Sequence, residues 1–294
     1  VTETLKSAPS WGKSSEVLYQ RPKLRLAALL ALPMTWIVGI YIVSMVLLLI
    51  TAFWTTDPFT SRVKPGFTLQ NFEQIFTNPA FLNTALRTLL IALAVTVICA
   101  IFAVPLGIFM AKVAKPRTAA VLVVLVTLPL WAGYLVKIIG MRLVWTEQGF
   151  FNWALSGLGI TGPGFGVLTV ILTLVYLWFP YMAIPVYTAV SQIPENLFDA
   201  SADLGAKGSR TILTVVWPLM LPALIAGSVF TFSLSLGDYI AAMYTGGSTQ
   251  MIGSIIAQNI NLNPPLAAAF AVIPIVIVIS YLAVIRRTGA LKNI

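Results

Sequence analysis

The chain has 294 residues, a formal net charge of +9, 59% hydrophobic residues and only 9% charged ones. Mean hydropathy is +0.93, and a soluble fold of this length has too little interior to hide that much apolar surface, so the solvent it is built for is a bilayer. There is no histidine and one cysteine, Cys99, which excludes Ser-His-Asp and Cys-His nucleophiles, histidine-ligated zinc and an intrachain disulfide.

Residues 1–25 are polar and basic, with Lys6, Lys13, Arg21, Lys23 and Arg25. Gly12-Lys13-Ser14 has the tail of a phosphate-binding loop. Ser7 stands where the first glycine of that motif belongs, and no strand precedes it, so the chain is expected to bind no nucleotide itself. No basic patch interleaved with aromatics points to nucleic acid. No carboxylate pair, nucleophile–base pair or metal-ligand set stands together, so neither a catalytic nor a metal site is expected.

A helix needs about 20 apolar residues to cross the hydrocarbon of a membrane. Six runs qualify: 26–54, 82–112, 118–143, 165–190, 218–243 and 265–286. The first is too long for a signal-peptide core and no small-residue cleavage site follows, so it reads as a retained anchor. The first three read as clean spans. The fourth carries Pro180 and Pro185, the fifth Pro222, Gly227 and Gly237, and the sixth Pro274. Such breakers are tolerated where neighbouring helices satisfy the freed backbone groups, so these helices are expected to pack in a bundle. The expected fold is an all-α integral membrane protein with a membrane domain over 26–294. An amphipathic helix from Phe67 leads into the second span. Gly157–Gly166 reads as a flexible turn, and Ser248–Ile260 as a short helix before the sixth span.

Orientation follows from lysine and arginine. Five precede the first span. Lys112, Lys115 and Arg117 lie between spans two and three, Lys207 and Arg210 between four and five, and Arg286, Arg287 and Lys292 after the sixth. The opposite loops hold Arg62 and Lys64. Both termini and the 191–218 hairpin are therefore expected in the cytoplasm. Arg87 and Lys112 are expected to snorkel to the interfaces.

That hairpin is the most soluble-looking part of the membrane domain. Pro194 suits the first position of a helix and Gly205 its C-terminal cap. Glu195, Asp199 and Asp203 recur at i, i+4 and i+8 as an acidic stripe, with Leu197, Ala200 and Leu204 on another face. Ser209 can cap a second helix running to Pro218. The pattern alone leaves two readings open: a solvated face, or a face docked into a soluble partner.

The hairpin resembles the EAA signature of permease subunits of bacterial ATP-binding-cassette (ABC) importers: Glu-Ala-Ala, three residues, Gly, nine residues, Ile-x-Leu-Pro. Asp199, Ala200 and Ser201 fill the first triplet, Gly205 is the glycine, and Val215-Val216-Trp217-Pro218 closes the motif without a gap. The segments from Ser228 to Gly247 and from Gln250 to Ile260 are similar to membrane subunits of spermidine/putrescine importers, with Leu236-Gly237-Asp238 of the PotB type. The resemblance implies the type I importer permease fold in a bacterial inner membrane. It implies a second permease subunit, so that a heterodimer is expected, two ATP-binding subunits that carry ATP and magnesium, and an extracytoplasmic solute-binding protein. It makes the hairpin a coupling helix, with Glu195, Asp199, Ala200, Ser201, Asp203, Leu204, Gly205, Arg210 and Pro218 facing or forming the contact with the ATPase.

Asp238 is the only acid inside an expected span, and an intramembrane carboxylate faces a cavity or a partner. It either pairs with Lys137 or Arg142 or contacts a cationic substrate. Trp178 and Tyr181 flank Pro180 near the middle of span four. They either pack helices or hold an ammonium over a ring, worth roughly 0.5–2 kcal/mol. Tyr239 is a further pathway candidate. The two cations of span three leave open an importer of an anion, a zwitterion or an amino-acid-like solute. A secondary transporter or channel working without ATP is a further alternative, opposed by the hairpin spacing and by the lack of histidine or buried acids for ion coupling.

Overall fold

The structure, a computed structural model, describes residues 22–287 except 58, 61 and 160. The Gly12-Lys13-Ser14 run and Lys292 lie outside the described residues. The chain divides into two compact units, Val1–Thr51 and Ala52–Ile294.

In the first unit, α1 (Pro22–Trp36) passes through a π-helical stretch, Ile37–Ile42, into α2 (Val43–Thr51). Leu29–Thr51 is long and apolar enough to span, with mean hydropathy 2.3. Hydroxyls that lipid would leave unpaired bond back into the helix: Thr35 Oγ1 donates to the Ala31 carbonyl at 2.7 Å and Thr51 Oγ1 to that of Leu47 at 2.9 Å. The helix stops at Thr51, short of the expected residue 54.

The second unit opens on a two-residue ribbon, β1 (Thr55–Thr56) antiparallel to β2 (Val63–Lys64). Its turn is fixed by Asp57, which accepts from Lys64 Nζ at 2.6 Å and from the amides of Phe59 and Thr60. Those donors, the lysine first, hold this carboxyl well below the usual carboxylate range. Then come α3 (Gln70–Thr77) and α4 (Pro79–Ile108). Asn71 of α3 donates to the carbonyls of Ala52 and Trp54 at 2.8 and 2.9 Å, anchoring the preceding loop. Asn78 caps α4 through the Ala80 amide, with Pro79 suited to the first turn. α4 ends in a π-turn, Phe109–Val113.

The third expected span is not clean. It is α5 (Pro116–Trp131) and α6 (Tyr134–Trp145), with a break at Ala132-Gly133 where the chain bends by 103° between Pro116–Trp131 and Tyr134–Leu158. Pro129 removes an N–H donor from the last turn of α5, and Ala132 and Gly133 are extended, with ψ of 141° each. After α7 (Phe150–Leu155), positive φ at Gly159 and Gly164 makes the expected turn. α8 (Val167–Ser191) is the fourth span and carries both prolines. α9 (Glu195–Asp203) and α10 (Gly208–Thr211) form the hairpin. From α10 the chain runs through a π-helical stretch, Ile212–Val216, into α11 (Trp217–Gly237). The wider turn stands just before Pro218, whose ring would otherwise press on the carbonyl one turn back. Short α12 (Ile240–Thr245) and α13 (Ile252–Asn259) precede α14 (Pro264–Arg287).

The core is built on α8. Ile91, Val95, Cys99 and Ala103 form an i, i+4 stripe of α4 against Val170, Leu174, Leu177 and Met182 of α8. The next step of the stripe is Gly107, where a Cβ would stand 2.7 Å from Val186 Cγ1. α11 approaches the other side at Gly227, where a Cβ would meet Met182 Cα at 3.1 Å. Glycine thus brings two spans to backbone distance from α8.

Candidate functional site

Two places concentrate the polar chemistry: the α9–α10 hairpin and the break after α11.

In the hairpin, Pro194 lies one residue outside α9, at the N-cap with extended backbone, rather than inside it. Gly205 has φ +73°. Its amide bonds the Ala202 carbonyl at 2.8 Å and the Ala206 amide bonds that of Ser201 at 3.0 Å. These paired bonds are the Schellman closure of a helix, which needs a left-handed residue at this point. Ser209 does not cap the second helix. α10 starts at Gly208, and Ser209 lies within its first turn.

The two helices are joined by a hydrogen bond of 2.9 Å between Ser201 Oγ and Thr211 Oγ1, both residues buried. Ser201 therefore faces the hairpin's interior, unlike its motif neighbours Asp199 and Ala200. Asp199, Ala200, Asp203, Gly205, Arg210 and Pro218 are exposed. Leu204 is 88% exposed at the tip. Glu195 is engaged inside the chain, 2.6 Å from Lys112 Nζ. Lys112 itself does not snorkel outward; its side chain is only 13% exposed and also donates to the Ile193 carbonyl at 2.8 Å.

At the other place, α11 ends at Gly237, and Asp238 is extended (φ −73°, ψ 135°). Asp238 thus sits at a break between helices and not within one. Its Oδ1 accepts the Ala241 amide at 2.8 Å and so caps α12. Its Oδ2 accepts the Tyr134 hydroxyl in a short hydrogen bond. The partner is therefore Tyr134, not Lys137 or Arg142. The ion pairs formed among the described residues, Lys64–Asp57 and Lys112–Glu195, do not include Asp238. Tyr134 begins α6 at the bend, so this bond ties two helix breaks together. Trp178 stacks on Tyr134 with ring centroids 6.1 Å apart and contacts Tyr181 at 5.9 Å. Its buried indole N–H has no acceptor among the described residues.

Asp238 and Trp178 thus meet at Tyr134, with Tyr181 joined through Trp178 and Asp238 only 5% exposed. Lys137 is buried one turn along α6 from Tyr134. Arg142 lies against other rings, 5.6 Å from Phe165 and 6.0 Å from Tyr244. Tyr239 faces elsewhere, into an uncharged cavity of about 510 Å³ that Ser248, Thr249, Gln250, Ser254 and Gln258 also line. Sequence reading missed Tyr134, whose partner is 104 residues away.

Residues 103–288 match the family described as binding-protein-dependent transport system inner membrane component. The chain is 38% identical over 301 residues to the inner membrane ABC transporter permease protein YdcU of Escherichia coli (strain K12), covering 97% of this chain and 96% of that one. It is 28% identical over 265 residues to the spermidine/putrescine transport system permease protein PotB of the same organism, covering 88% and 95%. Among solved structures it is similar in fold to a chain of a bacterial alginate ABC transporter in complex with an alginate pentasaccharide-bound periplasmic protein. There the TM-score is 0.73 and the identity 18%, over 91% of this chain and 96% of that one. A chain of the MetNI methionine ABC transporter matches with a TM-score of 0.54 and 19% identity, over 70% and 93%.

Proposed function

The chain belongs to the family of binding-protein-dependent transport system inner membrane components, as a permease subunit of an ABC importer, and from that premise we propose that it carries a polyamine such as spermidine or putrescine. The observation that carries the substrate class is the grouping of Asp238 with Tyr134, Trp178 and Tyr181. A carboxylate beside aromatic faces is the chemistry that holds an ammonium group. PotB, a relative over most of the chain, is by name a spermidine/putrescine permease. In the present conformation Tyr134 covers the carboxylate, and displacement of its hydroxyl would free that oxygen for a cation.

The subunit pairs with a second permease, and each of the two docks one ATP-binding subunit that holds ATP and magnesium. An extracytoplasmic binding protein delivers the solute. The hairpin serves as coupling helix, presenting Leu204, Asp199, Ala200, Asp203 and Arg210 to the ATPase. The termini and the hairpin face the cytoplasm. The complex in proteoliposomes should take up labelled spermidine, with competition by putrescine and none by neutral or anionic solutes. A second reading rests on the uncharged cavity at Tyr239, whose hydroxyls and amides suit a neutral or zwitterionic solute. Competition by such solutes, without competition by polyamines, would select it.

Orientation is tested by labelling. Cys99 is fully buried, so a cysteine placed at Ser209 reports its own side. It should react with a membrane-impermeant maleimide only in inside-out vesicles, and one at Ser156 only in right-side-out cells. Labelling of Ser209→Cys from outside would overturn the coupling assignment.

A further inference from the structure

Lys112 lies at the end of the second span, in the π-turn closed by the Ala114 amide on the Phe109 carbonyl at 2.8 Å. It grips the hairpin at three successive points. Nζ donates to the carbonyl of Ile193, in the linker between α8 and α9, at 2.8 Å. It lies 2.6 Å from Glu195, the first residue of α9. It stands 4.8 Å from the ring centroid of Phe198, one turn further on. The lysine side chain is largely covered while that of Glu195 is 78% exposed. The covered member makes all three contacts, so the grip centres on the lysine.

The hairpin is covalently continuous with the fourth span through Gln192–Pro194 and with the fifth through the unbroken helix Gly208–Gly237. It has no such continuity with the second span. Lys112 supplies a polar link between them. Phe198 and, from the second span, Val104, Ile108 and Ala111 also pack against one apolar cluster, but apolar contact is non-directional. Charge-assisted bonds to a carbonyl and a carboxylate are directional and resist sliding.

We infer that Lys112 is a positioning residue that carries movement of the hairpin into the second span, with Glu195 serving this internal grip rather than contact with an ATPase. The inference rests on the reading of the hairpin as the coupling element. Without the lysine the hairpin would still fold, since its own closure at Gly205 and the Ser201–Thr211 bond do not involve it. It would then move without taking the second span along.

The test uses the complete complex in proteoliposomes, with transport and ATP hydrolysis measured on the same sample. Lys112→Met keeps the length and apolar stem of the side chain. It should retain the ATP-binding subunits and hydrolysis, while solute transported per ATP falls about tenfold, the scale of losing charge-assisted bonds from a covered cation. Lys112→Arg, which keeps the donors, should recover most of the ratio. Glu195→Gln, at an exposed site, should lower the ratio less, and should add nothing in the Lys112→Met background. A wild-type ratio in Lys112→Met would overturn the inference. So would loss of the ATP-binding subunits in that variant, because the lysine would then be shaping the hairpin and not linking it to the second span. Gly205→Val in parallel separates the two levels. If it impairs transport while Lys112→Met does not, only the lysine's role fails; if both variants behave as wild type, the coupling reading fails with it.

Discussion

Gly205→Val is expected to reduce transport by at least about tenfold, because the closure of α9 depends on a backbone conformation that an L side chain resists. Gly205 has φ +73°. A left-handed residue costs an ordinary side chain about 1–2 kcal/mol, and a β-branched one more. No atom lies within 4 Å of where a Cβ would stand, so the cost is conformational and not steric crowding. Relaxing φ would break the bonds from Gly205 to Ala202 and from Ala206 to Ser201. It would also swing Leu204, the exposed tip, away from its place beside the turn. The variants should rank Gly, Asn, Ala, Val in decreasing transport, since asparagine tolerates the left-handed region. Capture of the ATP-binding subunits on the purified permease should follow the same order. Full transport and capture in Gly205→Val would mean that the hairpin needs no such closure and has no coupling role.

The second large effect belongs to Asp238. Its two oxygens accept from two donors, the Tyr134 hydroxyl and the Ala241 amide. Asparagine offers one acceptor oxygen and turns an NH2 toward the other donor. Asp238→Asn should therefore lose about 1–3 kcal/mol at a buried position, seen as a lower thermal midpoint of the complex in detergent, together with at least a tenfold loss of transport. Adding Tyr134→Phe removes the stranded hydroxyl and should restore much of the midpoint. If the carboxylate also meets the substrate's ammonium, transport stays low in the double variant although the complex is sound. Adding Lys137→Met to Asp238→Asn should restore nothing. Recovery there would reinstate the ion pair that the geometry replaces with Tyr134. Wild-type midpoint and transport in Asp238→Asn alone would remove both roles.

The spans were legible because their signal is local. A run such as Val167–Ser191 needs only its own hydropathy to be recognised, and Gly205 declared its cap through spacing in the hairpin. The bend in the third span was also written locally, in Pro129 and Gly133, but a strong apolar run outweighed two breakers. Where local signal ended, reading failed. For Asp238 the sequence offers Lys137, Arg142 or a cationic substrate as partner, because charge is visible in sequence and proximity is not; in the fold the Tyr134 hydroxyl takes the place of the two cations. Ser201 matched a motif position whose inward direction depends on Thr211 across the turn. Lys112 looked like one of many interfacial lysines until the fold set it beside Ile193 and Glu195.

The bend at Ala132-Gly133 bears on the bilayer as well as on the protein. A helix start leaves its first amides without partners in the same helix, and here those belong to Tyr134, Leu135 and Val136 at the head of α6. Hydrocarbon offers them nothing to bond. A lipid layer of uniform thickness therefore cannot wrap this molecule on every side. Headgroups or hydration must dip toward the bend, or another protein surface must shield it. Two residues of extended backbone thus set a demand that the surroundings of the subunit, lipid or protein, have to meet.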